Sequence, residues 1–183
     1  MTWEKNIENH YRDVWSVEPE ICGFSAGPIG QLPHGFSVLR FPPRGDRKMW
    51  TYATRCMSLP EDAKPIELHM FSPREAVEVV ELLVVTSHFH RTSTKLDVGH
   101  SVNFGRPWLD ASACEFGLIS RPYLDGPKLE IMLQASREIS FYWLIPVTKF
   151  EVEFKKKNGI ERLEGEFDRS GFDYVNPARR SVV

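Results

Sequence analysis

The sequence predicts one α+β domain, built from a mixed and largely antiparallel sheet flanked by helices. Short apolar segments separated by Pro and Gly turns recur along most of the chain, as is typical of strands. Between them, two segments carry capping-box patterns and another has apolar side chains at helical spacing. At 183 residues, with 42% of them hydrophobic, the chain can bury one sizeable core. We therefore interpret residues 1–183 as a single domain.

A helix and a loop are predicted at the N-terminus. Five apolar residues recur at intervals of three and four positions in a helix that could begin at Thr2: Trp3, Ile7, Tyr11, Val14 and Trp15. This spacing places them on one stripe of a helix that should dock by its aromatic side. The passage that follows, residues 23–35, is rich in Pro and Gly, and we interpret it as an ordered loop.

An antiparallel meander of three strands is predicted next. The segments Phe36–Phe41, Met49–Met57 and Ile66–Phe71 have strand composition and are separated by Pro-containing turns. Side chains alternate along a strand, so the even-numbered residues of the third segment should face the core. Glu67 and His69 should face the other way, on a surface that is polar or forms a groove.

A central helix is predicted to begin at Ser72. This residue could cap the helix, Pro73 suits the first helical position, and Glu75 completes a capping box. Apolar residues continue on most sides of the helix through Val85. We therefore expect this helix to be largely covered by the rest of the domain.

Further strands and one more helix are predicted in the second half. The strands are Ser101–Phe104, Ala113–Ile119, Lys128–Leu133 and Ile139–Ile145. Thr148 and Glu151 form a second capping box, and Asn158-Gly159 is a plausible stop, which favours a helix between them. The last residues, 169–183, are interpreted as a tail lying over the surface.

Charge, apolar length and cysteine usage exclude several functional classes. A net charge of −2 and a pI near 6.3 argue against nucleic acid as the main partner. The longest apolar stretch, Phe141–Val147, is far shorter than the ~20 residues that span a bilayer, so no membrane association is expected. The three cysteines are widely spaced and odd in number, and no export signal is visible. These features predict a cytoplasmic protein with reduced thiols.

Metal binding has one candidate, near the end of the predicted central helix. His88 and His90 lie two positions apart, and His100 or Asp97 could supply a third ligand. On a helix, residues two positions apart diverge by about 200°. We therefore expect no metal site, and no cofactor.

Catalysis has two candidate pairs. Cys56 with His69 could form a nucleophile and its base, and Glu67 with His69 could act as acid and base. No diagnostic flanking residues accompany either pair. Cys56 lies on a predicted strand, where it is better explained as a small buried hydrophobe. We expect a protein without catalysis, the alternative being a small hydrolase or metal-dependent enzyme that uses Glu67, His69 and Cys56.

Six groups of residues, in this order and spacing, carry a family resemblance. The first three are Gly27-Pro28-Ile29-Gly30-x-Leu32-Pro33-x-Gly35-Phe36, Trp50-Thr51-Tyr52-x-Thr54-x-x-Met57-Ser58 and Glu67-Leu68-His69. The others are Gly99-His100-x-Val102-x-x-Gly105-x-Pro107-Trp108, Phe141-Tyr142-x-Leu144-Ile145-Pro146 and Asp173-Tyr174-Val175-Asn176-Pro177-x-Arg179. In this pattern the chain resembles the Suppressor of fused family over nearly its whole length.

The resemblance implies a binding role. It implies an α+β domain with a mixed sheet and without a known catalytic centre or cofactor. In eukaryotic members, such a domain joins a second domain to clamp an extended peptide from a transcription factor. Bacterial single-domain members are thought to include immunity proteins, which neutralise a toxin made by the same or a neighbouring cell, and this is the closest fit to the length of the chain.

Two departures limit how far the resemblance carries. Arg55-Cys56 stands where a Gly is expected before Met57-Ser58, and His100 follows Gly99 where peptide-clamping eukaryotic members carry an acid. The eukaryotic ligand is therefore not carried over. Our candidate recognition residues are the matched positions and one neighbour in the Trp108 loop: Tyr52, Glu67, His69, Gly99, His100, Trp108 and Asp110.

The sequence thus predicts a protein-binding module, with an immunity protein as the leading version and a toxin as its partner. A second alternative is a regulatory or structural partner in an assembly, using an exposed sheet edge to add a strand. The sequence does not predict the oligomeric state.

Overall fold

A computed structural model describes residues 2–134 and 136–183 of the chain. Within these residues the helices are α1 Trp3–Trp15, α2 Val77–Thr92, α3 Pro127–Glu130, α4 Lys149–Asn158 and α5 Ile160–Ser170. The strands of the same residues are β1 Glu20–Ile21, β2 Ser37–Phe41, β3 Trp50–Arg55, β4 Ile66–Ser72, β5 Ser101–Asn103, β6 Phe116–Ser120, β7 Ile131–Gln134 and β8 Arg137–Val147. The predicted Pro/Gly loop contains a 3-10 helix, Gly27–Gln31.

One mixed sheet organises the described residues. Its order is β1-β2-β3-β4-β8-β6-β5, and β7 pairs with the first part of β8. The β4–β8 pair is parallel, and the other pairs are antiparallel. The predicted fold class and the antiparallel β2–β3–β4 meander are therefore confirmed.

The helix α2 covers one face of the sheet. Its apolar residues, among them Val79 and Leu83, pack in one core with Leu68 and Met70 from β4 and with Leu144 from β8. Eight residues of α2 are buried, on several sides of the helix. The prediction of a largely covered central helix is confirmed, because α2 lies between the sheet and the loop that contains the 3-10 helix.

The other face is covered by α1 at one end and by α4 and α5 at the other. On α1, Ile7, Tyr11 and Trp15 are buried against Leu39 and Phe41, and the Thr2 side chain accepts the cap hydrogen bond from the Lys5 backbone N–H. The predicted helix and its aromatic stripe are confirmed. The helices α4 and α5 pack on the far half of the same face, over the ends of β6 and β8.

The prediction of a polar face or groove on β4 is wrong. Glu67 and His69 are fully buried, as are all seven residues of the strand. The reason is that α1 packs on this face, so that the Trp15 ring centroid lies 5.7 Å from that of His69. The alternation of side chains along β4 predicts which residues share a face of the sheet. It does not predict that helices cover both faces.

The predicted start of the central helix is also wrong. Ser72 is the last residue of β4, where it pairs with Trp50, and α2 begins only at Val77. The Ser72 hydroxyl donates to the Arg74 backbone oxygen and caps no helix. Pairing with Trp50 keeps the backbone at Ser72 extended, so a helix cannot begin there. The start of α2 is instead fixed by a hydrogen bond that the Ala76 N–H donates to the Tyr52 hydroxyl.

Two later predictions differ in outcome. Part of the predicted strand Lys128–Leu133 is the short helix α3, which begins at Pro127, a residue that fits the first helical position and cannot donate to a strand. The helix predicted after Thr148 is confirmed with both hydrogen bonds of the capping box. The helix α5, in which Leu163 and Phe167 are buried, was not predicted.

The C-terminal segment is held by a buried ion pair. The Arg179 guanidinium donates to both oxygens of Glu151, at 2.7 and 2.8 Å, and the Arg179 side chain is 7% exposed. Glu151 is completely buried and also accepts hydrogen bonds from the backbone N–H groups of Thr148 and Val182. The segment after α5 is thereby fastened to the start of α4. In residues 2–134 and 136–183, no helix combines the length and the apolar character that crossing a bilayer requires.

Candidate functional site

Glu67 is the centre of a buried hydrogen-bond network. Its Oε1 accepts from the backbone N–H and the hydroxyl of Ser58, at 3.0 and 2.6 Å. Its Oε2 accepts from the Met57 N–H at 3.2 Å and from the Thr54 hydroxyl at 2.5 Å. Burial raises the pKa of Glu67 to about 7, against the opposing effect of these hydrogen bonds. The carboxyl group therefore ties β4 to the end of β3.

The position of Cys56 explains one departure from the family pattern. Cys56 has a φ of +63°, in the left-handed region that favours glycine. This turn points the N–H groups of Met57 and Ser58 back towards Glu67. A Gly expected just before Met57 is therefore a demand of the backbone, which this chain meets with Cys56 at some conformational cost.

The predicted chemical groups are held in structural roles. Burial raises the pKa of Cys56 to about 12, so its thiol is protonated at neutral pH. Burial, followed by the nearby Arg47 charge, lowers the pKa of His69 to about 3, and its ring lies between the rings of Trp15 and Phe71. The structure brings Glu67 and His69 onto one face of β4, and both are buried there.

The helical histidines serve the fold in a similar way. His90 Nδ1 accepts a hydrogen bond from the Leu96 N–H at 2.9 Å, and burial lowers its pKa to about 4. His88 Nε2 lies 3.0 Å from the Gln31 side-chain oxygen. Within residues 2–134 and 136–183, no group of three His, Cys, Asp or Glu residues is placed to hold a metal ion.

The predicted recognition residues fall into a buried and an accessible set. Tyr52 and Trp108 are each 1% exposed, and Glu67 and His69 are completely buried. Tyr52 supports the start of α2, and Trp108 lies in the core beside α2. Side chains buried to this extent cannot contact a partner in this conformation, so these four act through the fold.

Gly99, His100 and Asp110 form the accessible set. Gly99 has a φ of +85°, and its carbonyl oxygen accepts from the Lys155 ammonium group at 2.6 Å. His100 is exposed beside it, where the edge strand β5 begins, and its Nδ1 accepts from the Asp97 N–H at 3.2 Å. The Asp110 side chain is 95% exposed and lies 3.6 Å from the Arg74 guanidinium. These residues can contact another molecule without any change in the fold.

A cavity that sequence analysis missed lies between α5 and the sheet. It has a volume of about 550 Å³, and we call it the α5 cavity. Aromatic rings form much of its wall, from Tyr123, Trp143, Phe167, Phe172 and Tyr174. Three acidic residues of α5 also line it: Glu161, Glu164 and Asp168. The spacing of these acids by three and four residues, beside the apolar Leu163 and Phe167, was the available signal for both the helix and the acidic stripe.

Glu164 is oriented within this cavity by two neutral donors. The Ser120 hydroxyl donates to its Oε1 at 2.7 Å, and the Tyr123 hydroxyl donates to its Oε2 at 3.2 Å. A carboxylate has about four acceptor sites, so each oxygen retains capacity for a further donor. The cavity therefore presents a fixed negative group beside aromatic surface.

This layered mixed sheet is the fold of Suppressor of fused domains in solved structures. A SUFU homologue from Neisseria gonorrhoeae superimposes with a TM-score of 0.85 and 27% identity, covering 99% of this chain and 97% of that chain. The structure of the Sufu–Fu complex matches with a TM-score of 0.71 and 16% identity, over 98% of this chain and 92% of that chain. Drosophila Suppressor of Fused matches with a TM-score of 0.68 and 16% identity, over 96% of this chain and 50% of that chain.

The sequence itself matches the family model described as Suppressor of fused protein (SUFU) over residues 33–180. The chain belongs to the Suppressor of fused family, which confirms the resemblance found in its motifs. No curated protein matches the sequence.

Proposed function

We propose that this chain is a protein-binding module without catalytic activity, and that it serves as an immunity protein by covering a toxin. The observation that carries the proposal is membership of a family in which a protein of the same fold is found in the Sufu–Fu complex. The match to the homologue from Neisseria gonorrhoeae, which covers 97% of that chain, supports a common fold for a binding role. We place the protein in the cytoplasm, where its three free cysteines would stay reduced.

The chemistry of the buried groups supports binding over catalysis. Both oxygens of Glu67 accept hydrogen bonds from groups that shape the β3–β4 connection. A nucleophilic cysteine needs a depressed pKa, whereas burial raises that of Cys56 to about 12. The groups nominated for a hydrolase are therefore engaged in maintaining the fold.

In this proposal the accessible set makes the contacts with the partner protein. His100 and Asp110 project from the surface, and Gly99 sets the backbone turn that precedes β5. The buried set of Tyr52, Glu67, His69 and Trp108 supports the surface from below. In this proposal, changes in the first set weaken binding with little loss of stability, and changes in the second set act through stability.

Co-expression with the product of the adjacent gene tests the proposal. The wild-type chain should restore growth to a bacterial host that makes this product. The double variant His100→Ala/Asp110→Ala should bind it at least about tenfold more weakly if these residues are central contacts. Lys128→Ala, on the exposed surface of α3, is the matched control and should behave as the wild type. Binding without restored growth would retain the module and exclude the immunity role; the absence of both would contradict the proposal.

A further inference from the structure

We propose that the edge strand β7 pairs with β7 of a second copy of this chain, antiparallel and about a two-fold axis at Met132. This self-association goes beyond the proposed function and does not depend on it. Among the described residues, β7 pairs with β8 alone, so its other side is an edge of the sheet. The Leu133 side chain is 75% exposed and that of Ile131 is 42% exposed. Two large apolar side chains therefore lie on this edge strand.

The outward-facing backbone groups of β7 follow from its pairing with β8. The Ser140 N–H donates to the Pro65 oxygen at 3.0 Å, so Ser140 directs its backbone groups away from β7. In an antiparallel pair, opposite residues alternate between exchanging both hydrogen bonds and exchanging none. Ile131 lies opposite Ser140 and is therefore of the second kind, as is Leu133 two positions further on. The N–H and C=O groups of these two residues point to the outer edge of the sheet.

The strand β7 lacks the features that protect β1 and β5. Natural edge strands avoid pairing with other chains by being very short, or by carrying charges or Pro. The strand β1 has two residues, and its Glu20 binds Arg40. Beside β5, which has three residues, the Lys155 ammonium group donates to the Ser101 hydroxyl at 2.8 Å. The four residues of β7 are uncharged and include no Pro, so this edge favours the addition of a strand.

The pattern of β7 is complementary to itself, which identifies a second copy as the occupant. When Met132 lies opposite its equivalent in an antiparallel pair, Ile131 of each copy lies opposite Leu133 of the other. These are the residues with outward-facing backbone groups, so the two cross-strand pairs form four hydrogen bonds. The same register places apolar side chains opposite each other on one face of the sheet, an arrangement that stabilises antiparallel pairs. A register shifted by one residue would lose both matches.

A groove beside β7 leaves room for the second copy. It has a volume of about 340 Å³ and lies between the last three residues of β7 and polar residues of α1: Asn6, Asn9, His10 and Asp13. Polar side chains of this kind are typical of the rim of an interface. The pairing segment has only four residues in each copy, which is short for a permanent dimer. We therefore expect a weak and reversible dimer.

Sedimentation equilibrium of the full chain, from about 10 μM to about 1 mM, tests the inference without a toxin. The wild type should show a monomer–dimer equilibrium with a dissociation constant on the order of 100 μM. Leu133→Lys should weaken the dimer at least about tenfold, because a charge on an edge strand opposes pairing. Leu124→Lys is the matched control, since Leu124 is 47% exposed and lies outside β7. It should leave the dissociation constant unchanged.

A double variant tests the register of the pairing. Ile131→Glu/Leu133→Lys places opposite charges in both cross-strand pairs, so it should dimerise about threefold more tightly than Leu133→Lys, or better. Circular dichroism should show that all of these variants are folded.

Three results would overturn the inference: a wild type that stays monomeric over the whole range, a dimer that Leu133→Lys leaves intact, or a double variant no tighter than the single one. If the wild type is monomeric and Leu133→Lys instead weakens binding of the adjacent-gene product, the edge receives a strand of that partner. Self-pairing then fails while the proposed function stands.

Discussion

At the residue scale, the family pattern reflects the demands of one buried carboxyl group. Glu67, together with the turn at Cys56, collects donors that would otherwise lie unpaired at the end of β3. A residue of this kind can match across a family because of the fold, although it is charged and looks functional in the sequence. Its substitution should therefore change stability first.

We expect Glu67→Gln to lower the free energy of unfolding by about 2–4 kcal/mol. The NH₂ group of the glutamine would replace an oxygen that accepts hydrogen bonds, and would face donors with no acceptor between them. Urea denaturation at pH 8, where the carboxyl group is ionised, measures the effect. Glu61→Gln is the control, since Glu61 lies in an exposed turn. A change below about 0.5 kcal/mol in Glu67→Gln, the range of an ordinary surface substitution, would contradict the structural role.

The lowered pKa of His69 predicts that the stability of the fold depends on pH. Its pKa is lowered to about 3 in the folded chain, from the ordinary value of 6.5. The unfolded chain therefore takes up a proton between pH 6.5 and 3 that the folded chain does not, and stability falls as the pH drops through this window. At pH 5 the loss attributable to His69 is about 2 kcal/mol relative to pH 8.

The variant His69→Phe isolates this contribution, since the raised pKa of Glu67 acts in the opposite direction between pH 4.5 and 7. Phe should suit a site between the Trp15 and Phe71 rings. From pH 8 to pH 5, the free energy of unfolding of this variant should shift by about 2 kcal/mol in the stabilising direction relative to the wild type, in which the contributions of His69 and Glu67 largely cancel. Equal pH dependence in both proteins would show that His69 does not carry the effect.

At the element scale, the C-terminal segment depends on α4 through one ion pair. Removing Arg179 leaves Glu151 buried without its cation, which costs about 3–5 kcal/mol in comparable sites. Arg179→Met should therefore lower the free energy of unfolding by this amount and open residues 171–183 to limited proteolysis. Arg180→Met, at the exposed neighbour, should do neither. If both variants behave alike, the ion pair does not hold the segment.

The elements that sequence predicts best are those with local signals. The helix α1 has its aromatic stripe, and α4 has a complete capping box, so both followed from neighbouring residues. Ser72 has an equally good capping pattern, but pairing with β3 overrides it. In α5, the stripe of Leu163 and Phe167 is short and interrupted by Gly165, a weak helix former, and its apolar side becomes evident only against the sheet.

At the scale of the whole molecule, the helices that cover the two faces of the sheet determine which residues a partner can reach. Sequence identified the family motifs correctly, but it could not separate residues under helices from residues at the surface. Tyr52 and Trp108 have the amphipathic side chains common at interfaces, yet α2 packs over both. The α5 cavity depends on α5, β8 and the C-terminal segment together, and contacts between such distant segments are not encoded in any local pattern.

In the proposed function, this domain binds another protein and does not alter it chemically. Native mass spectrometry of the chain mixed with the purified adjacent-gene product tests it most directly. We predict a stable complex whose mass is the sum of the two intact chains, with the partner's mass unaltered after dissociation. A partner that is released in cleaved or chemically modified form, with no lasting complex, would contradict the account.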